Sequence, residues 1–373
     1  VKILVVSRPF VFHGGVERAT ADFLTALVAH GHDVHLLSPP GQEPLPGVTL
    51  HRLTLPPVPA SARVLVLPLA TRLAVRRRAW DVVQSHERTL SQDVYRAGEG
   101  CHRAYLEAMG PRRRRRPAYH RLLLGLERRV FARTPQVVAI SRLGAREIAR
   151  LYGVPDARLT VVYNGVDLAR YHPDTRGRHR AAARAEAGLP AGTWTALFAG
   201  SGFERKGLAT ALQALAALDD RGSRLLVLGK GDTRAYRAQA EGLGVAARVV
   251  WLGARPDIER WYAAADALVL PTRYEPFGNV HLEALAAGLP VVTTTAAGGA
   301  EAVGPDSGAV VAPGDAAATA AALDRLRAGD AARQVQAARA AAEPFTHARQ
   351  VAGFTAVYGR LGADRVAFTL RNR

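Results

Sequence analysis

Residues 267–294 read ALVLPTRYEPFGNVHLEALAAGLPVVTT. The first four are wholly apolar, and Val291-Val292 opens a second short run rich in β-branched residues. Between them, 277–287 reads as a helix that begins beside Gly278 and stops at Gly288, two residues before Pro290. A strand, a crossover helix and a second strand form a parallel unit with the helix lying over one face. Strands covered on both faces are apolar throughout instead of alternating. The runs at 267–270 and 291–294 fit that rule.

The same alternation extends outward. A strand at 194–199 opens the second half; 225–228 is a strand running into Gly229-Lys230-Gly231, 234–243 a helix and 249–252 a strand. At the other end, 1–7 is a strand, His13-Gly14-Gly15-Val16 a glycine-rich loop and 17–30 a helix. That helix carries Ala19, Phe23, Leu27 and Val28 on one face, ends at Gly31, and leads to a strand at 33–37. Further strand-like runs lie at 48–53, 81–84, 136–140 and 159–163, with helical stretches at 61–78 and 119–131. Residues 170–189 turn polar and arginine-rich and read as a linker. With 373 residues the chain is long for one core. The division is 1–168 and 169–349, with a last segment, 350–373, that the family resemblance given below returns to the first domain. Two α/β units of this kind expect a cleft facing the carboxyl ends of both sheets.

One cysteine, Cys101, rules out an intrachain disulfide and a cysteine zinc cluster. No apolar run reaches the ~20 residues of a membrane span, and 1–7 is too short for a signal peptide. The expectation is a cytoplasmic protein, soluble or peripheral on a membrane. Net charge is +18. Residues 1–170 hold 26 Lys and Arg against 13 Asp and Glu, and the rest hold 24 against 19. A basic first half implies an anionic partner. Arg112–Arg116 lie between prolines, Arg76-Arg77-Arg78 close an apolar helix containing Leu65, Leu67, Leu69 and Leu73, and Arg128-Arg129 form a third cluster. Adhesion to an anionic membrane surface is the functional reading, and a solvated basic surface the bland one.

The chemistry concentrates at Glu275-Pro276-Phe277-Gly278-Asn279-Val280-His281-Leu282-Glu283. Gly278 permits a close backbone approach, and a helix N-terminus near Asn279 suits a phosphate or a hydroxyl. Glu283 lies about one turn further on, so two carboxylates can address different parts of one extended ligand. Arg205-Lys206 follow a strand and the turn Gly200-Ser201-Gly202, and can neutralise a departing diphosphate. No Asp-x-Asp pair for a metal occurs in the chain.

These segments resemble the retaining glycosyltransferases of sequence family 4, which have the GT-B fold of two Rossmann-like domains. The resemblance rests on the Glu275–Glu283 spacing, Gly14-Gly15 with Glu17-Arg18, the run 162–167, Gly200–Gly207 and Ala263–Asp266. Within the family, 92–97 and 200–207 look most like the members that add the first glucose to the lipopolysaccharide inner core. It implies that Arg205 and Lys206 hold a nucleotide diphosphate and Glu283 the ribose. It implies that Glu275, with the backbone of Phe277, Gly278 and Asn279 and with Val280, holds the transferred sugar. Gly14 and Gly15 would line the phosphate and acceptor side, and Arg255 would lie near the base. His102 matches a histidine near the reaction centre, with His86 its competitor. The implied activity is metal-independent transfer of a hexose, glucose from UDP-glucose, to a cell-envelope glycan, with no cofactor beyond the donor. UDP-N-acetylglucosamine, UDP-galactose or GDP-mannose as donor, on a lipid-linked or exopolysaccharide acceptor, is the alternative. A nucleic-acid-binding protein would explain the charge but not the Glu275–Glu283 segment. Epimerases or phosphorylases could share the fold. A dinucleotide oxidoreductase would need a Gly-x-Gly-x-x-Gly that the first loop lacks.

Overall fold

The computed structural model describes residues 1–10, 15–58, 60–76, 78–110 and 117–371. It forms two compact units, Val1–Gly165 with His347–Arg373, and Val166–Thr346. The first holds seven strands: β1 Lys2–Val6, β2 Asp33–Ser38, β3 Val48–Arg52, β4 Val82–Ser85, β5 Val94–Ala97, β6 Gln136–Ala139 and β7 Leu159–Val161. They run parallel in the order β3-β2-β1-β4-β5-β6-β7. The second holds β8 Thr195–Ala199, β9 Arg224–Leu228, β10 Val249–Gly253, β11 Ala267–Leu270, β12 Val291–Thr294 and β13 Gly308–Val311. Their order is β10-β9-β8-β11-β12-β13, again all parallel. In each sheet the winding reverses once, between β1 and β4 and between β8 and β11. Loops leaving the carboxyl ends of those neighbouring strands diverge and leave a crevice.

Each unit has its own core. Phe198, Leu212, Leu215 and Val269 are central to the second. In the first, Phe23, Leu24 and Leu27 meet Phe354, Val357 and Leu361 of the closing helix His347–Arg371. The Phe23 and Phe354 rings are 4.7 Å apart, and the Tyr358 hydroxyl donates to buried Gln84 at 2.6 Å. The chain passes between units at Gly165/Val166 and Thr346/His347. At this passage Val166 pairs with Thr346 and the Gly165 N–H donates to Gln350 at 3.0 Å. A Cβ on Gly165 would stand 2.5 Å from the His347 ring, so the close approach requires glycine.

The segment 170–189 is not a linker. Thr175–Glu186 is a helix, and its polarity has a specific cause. Arg176, Arg180 and Arg184 recur every four residues and so share a face. That face meets the end of the helix Ile258–Ala264, not an apolar surface. Arg180 donates to the carbonyls of Ala263, Ala264 and Ala265 at 3.0–3.1 Å and to Asp266 at 2.7 Å. Arg176 reaches Asp266 at 3.2 Å and Arg184 the Ala264 carbonyl at 3.0 Å. The last carbonyls of a helix lack partners within it and carry its negative dipole end. Arginines satisfy both needs, so a sequence without apolar periodicity folds as a packed helix. Asp266 also accepts the Thr195 N–H at 2.9 Å, tying this knot to the start of β8. Asp266→Ala should therefore lower unfolding free energy by about 3 kcal/mol, because it strands guanidinium groups in a mostly buried contact. Urea titration should show a lower midpoint at unchanged slope.

Candidate active site

The site occupies the β8/β11 reversal of the second unit. After β8 the chain turns at Gly200 and Gly202 into a short helical turn, Phe203–Lys206. Gly207 ends it with φ 79°, and a Cβ there would lie 1.9 Å from the Pro271 carbonyl. No other residue could bring this turn so close to the end of β11. The Arg205 carbonyl accepts the Arg273 N–H at 2.8 Å and the Thr272 hydroxyl at 2.9 Å. The loops after β8 and β11 are thereby one body. The Lys206 side chain lies across Gly200, where a Cβ would meet its Cε at 2.7 Å.

This anchoring brings Arg205, Lys206 and Glu275 together. Arg205 Nη1 donates to Glu275 Oε2 at 2.7 Å and to the Tyr274 carbonyl at 2.9 Å. Lys206 Nζ is 3.1 Å from the same Oε2. Glu275 is only 9% exposed. Burial pushes its carboxyl up, but Lys206 and Arg205 outweigh that and hold it at about 2. Two cations thus share one acid in a nearly dry setting, where charge interactions are stronger than in water. A second anion such as a diphosphate would complete the balance.

Beyond Glu275 the loop is stitched to the segment after β12. The Glu275 N–H donates to Ala296 at 3.0 Å, and the Gly298 N–H returns to the Glu275 carbonyl at 2.9 Å. Phe277 is buried and its carbonyl accepts the Gly299 N–H at 2.7 Å. Gly278, at φ 85°, leads into the helix Asn279–Ala286. Val280 turns partly into the second core. Glu283 follows about 6 Å along the helix axis from Asn279. Glu283 is 8% exposed and accepts the Tyr262 hydroxyl at 2.8 Å. Burial, with Glu283 beside it, raises the Tyr262 hydroxyl well above its ordinary range, so it stays a donor.

His281, quoted in the motif but given no role there, is the residue that sequence reasoning missed. Its ring is fully buried. Nδ1 is 2.7 Å from the Gly278 carbonyl and Nε2 2.8 Å from Thr293 Oγ1. Burial lowers it to about 4, so it is neutral at pH 7. Both ring nitrogens therefore have polar partners, and Thr293 Oγ1 in turn donates to the Leu270 carbonyl at 3.0 Å. A Cβ at Gly278 or Gly299 would come within 2.7 Å of this ring. The imidazole locks the glycine-containing turn that sets the helix start. The signal was its place inside an apolar helix face beside two glycine turns.

Arg255 pairs with Glu186 at 3.1 Å, donates to the Leu252 carbonyl at 3.2 Å and covers the Trp261 ring. In the first unit, Gly15 begins the helix Gly15–Ala29, while Gly14 and Arg112–Arg116 lie outside the described residues. His102 begins the helix His102–Met109. Its N–H is held by fully buried Glu127 at 2.8 Å, and its Nε2 is 3.0 Å from His120 Nδ1. Burial lowers His102 to about 4, against the opposing pull of Glu127. His86, at the end of β4, is buried, contacts the Gln84 amide at 2.8 Å and is pushed by burial well below its ordinary range. The β1/β4 reversal carries an ion network that the sequence reading also missed. Arg8 bridges Glu87, at 2.8 Å, and Glu99, while Arg88 bridges Glu99 at 2.9 Å and Glu127 at 3.1 Å.

Comparison with known proteins gives this architecture a context. Residues 13–170 match Glycosyltransferase Family 4, and residues 194–328 match Glycosyl transferases group 1. A probable transglycosylase of Burkholderia thailandensis is 33% identical over 364 residues, covering 95% of this chain and 96% of that protein. The lipopolysaccharide glucosyltransferase WaaG of Escherichia coli is 29% identical over 214 residues, 55% of this chain and 56% of WaaG. A crystal structure of WaaG superposes with TM-score 0.80 at 24% identity, covering 94% of this chain and 98% of that one. Anabaena HepE in complex with UDP-glucose superposes with TM-score 0.72 at 19% identity, covering 97% and 99%. The two parallel-sheet units are those of the GT-B fold.

The Glu275 carboxylate makes a prediction independent of any ligand. Its folded-state pKa is depressed, so its contribution is complete above the ordinary carboxylate range and fades as pH falls toward about 2. Glu275→Gln should be less stable than the parent at pH 7. The gap should narrow steadily below about pH 4.5 in paired thermal-denaturation series, and a pH-independent gap would remove the ion triad as its cause.

Proposed function

The chain belongs to the group 1/family 4 glycosyltransferases, and on that premise we propose that it moves glucose from UDP-glucose, with retention, to a cell-envelope glycan. The lipopolysaccharide inner core is the acceptor we favour. The observation that carries the reading is the Arg205–Lys206–Glu275 triad at the β8/β11 reversal. WaaG and the UDP-glucose-bound HepE support it as relatives of matching fold.

Arg205 and Lys206 take the donor diphosphate, and Glu283 accepts the ribose hydroxyls beside Tyr262. Glu275 turns its second oxygen to the hexose while Oε2 stays on the cations. The bond from the anomeric carbon to the diphosphate oxygen breaks as that carbon bonds the acceptor oxygen on the same face. The acceptor proton passes to the leaving diphosphate. Arg205 and Lys206 stabilise the charge that develops there, the work for which a metal would otherwise serve. The acceptor belongs to the β1/β4 reversal of the first unit, where Arg8, Glu87 and Glu99 present paired charges to a hydroxyl-rich ligand. His102 stands near the acceptor in this reading, neutral at pH 7 and oriented by Glu127. The enzyme works at the inner face of the cytoplasmic membrane, drawn by the basic first half.

Calorimetry against UDP-, GDP- and ADP-linked sugars tests this. UDP-glucose should bind with or without chelator, and Glu283→Ala should weaken it roughly tenfold or more. Lys206→Ala should lower turnover about 100-fold or more. Preference for another nucleotide sugar would replace the donor, and silence toward all of them would overturn the reading.

A further inference from the structure

The helix Ala60–Val75 has two apolar faces, and only one is used by the fold. Leu67, Ala70 and Ala74 pack with Val75 onto Leu4, Val6, Leu37 and Val83 of the first sheet. Leu65, Leu69 and Leu73 recur every four residues, and at about 100° per residue they form a stripe on the opposite side. They are 52%, 63% and 65% exposed. Leucine is a residue that folded chains normally cover, and three in register on one helix make a continuous apolar strip. Half of the six large hydrophobic side chains exposed among the described residues lie on this one stripe, so it is not scattered surface.

Along the chain, the helix and its flanks carry charge of one sign. No Asp or Glu occurs between Glu43 and Asp81. Arg72, beside the strip, and Arg76 and Arg78, just past the helix, are all exposed. Among the described residues none of the three forms an ion pair. A leucine face bordered by unpaired arginines is the chemistry of a helix that lies in an interface between water and anionic lipid. A second copy of the chain fits the strip poorly, because its own arginines would meet these across the contact.

We infer that this helix docks on an anionic lipid surface, with Leu65, Leu69 and Leu73 entering the acyl boundary and Arg72, Arg76 and Arg78 on the headgroups. The inference deepens the membrane part of the proposed function by assigning the surface. It adds an apolar, salt-resistant component to what charge alone would give.

Sedimentation with vesicles of phosphatidylcholine alone or mixed with phosphatidylglycerol tests it. The parent protein should partition onto the anionic vesicles. Leu65→Ser/Leu69→Ser/Leu73→Ser should bind roughly tenfold or more weakly at low and at high salt. Arg72→Gln/Arg76→Gln/Arg78→Gln should lose mainly the salt-sensitive part of binding. Neither set touches the core, so thermal midpoints and nucleotide-sugar binding should match the parent. The single native cysteine, Cys101, is fully buried. A Leu69→Cys variant can therefore carry one environment-sensitive fluorophore, whose emission should shift to the blue on anionic vesicles. Undiminished binding by the leucine variant would overturn the assignment while leaving membrane binding and glycosyl transfer intact. Failure of the parent to bind either vesicle would overturn both the assignment and the membrane reading, with nucleotide-sugar binding still judged separately. A dimer in light scattering that the leucine variant dissociates, without vesicle binding, would make the occupant a second copy and overturn the inference.

Discussion

Two cations on one carboxylate oxygen hold together loops that begin on neighbouring strands and would otherwise diverge. Glu275 leaves the end of β11 and Arg205-Lys206 the end of β8, the point where the sheet reverses its winding. Loops that part at such a point need something to set their separation. Here Gly207 lets one turn press against Pro271, the Arg205 carbonyl gathers Thr272 and Arg273, and the side chains then close on Glu275. The backbone contacts position the charges, and the charges in turn fix the backbone. Breaking the pair leaves buried cations unpaired, so the arrangement resists partial opening.

The rest of the site inherits that geometry. Glu275 is tied on its backbone to Ala296 and Gly298, and Phe277 to Gly299. His281 fills the space that Gly278 and Gly299 leave and fastens to Thr293 on β12. The helix bearing Glu283 is therefore aimed by three strands at once. The first unit solves the same problem with the opposite balance. At its reversal Glu87, Glu99 and Glu127 outnumber Arg8 and Arg88. Under the proposed function this asymmetry suits the two ligands: surplus cations for a diphosphate, and surplus carboxylate oxygens for sugar hydroxyls.

Much of this was legible in the sequence because it follows from local pattern. Short apolar runs, glycine stops and crossover lengths define parallel strands; Glu275 and Arg205-Lys206 sit near element boundaries and Glu283 one turn into its helix, so spacing implies position. The parts that escaped depend on partners distant in the chain. Glu127 lies mid-helix and gains its role by holding the N–H of His102, 25 residues earlier. Arg176, Arg180 and Arg184 look solvated until Asp266, some 80 to 90 residues on, is placed beside them. Arg255, which the resemblance puts near the base, likewise has a partner distant in the chain, Glu186.

The arginine excess also divides once partners are known. Arg88, Arg96 and Arg248 are internal: Arg88 serves Glu127 and Glu99, Arg96 donates to Asn164 at 2.7 Å, and Arg248 donates to the carbonyls of Asp220 and Ser223. Burial without a carboxylate pulls Arg96 down to about 10, yet it remains charged at pH 7. Such residues satisfy oxygen atoms inside the fold and present no guanidinium for a partner to touch. A net charge of +18 therefore counts groups that no partner can contact and hides how unevenly the accessible ones lie. What attracts an anionic partner is the subset with no internal work, and on the described surface Arg72, Arg76 and Arg78 belong to it. Their position beside an unused leucine face gives the charge a direction that composition alone does not have.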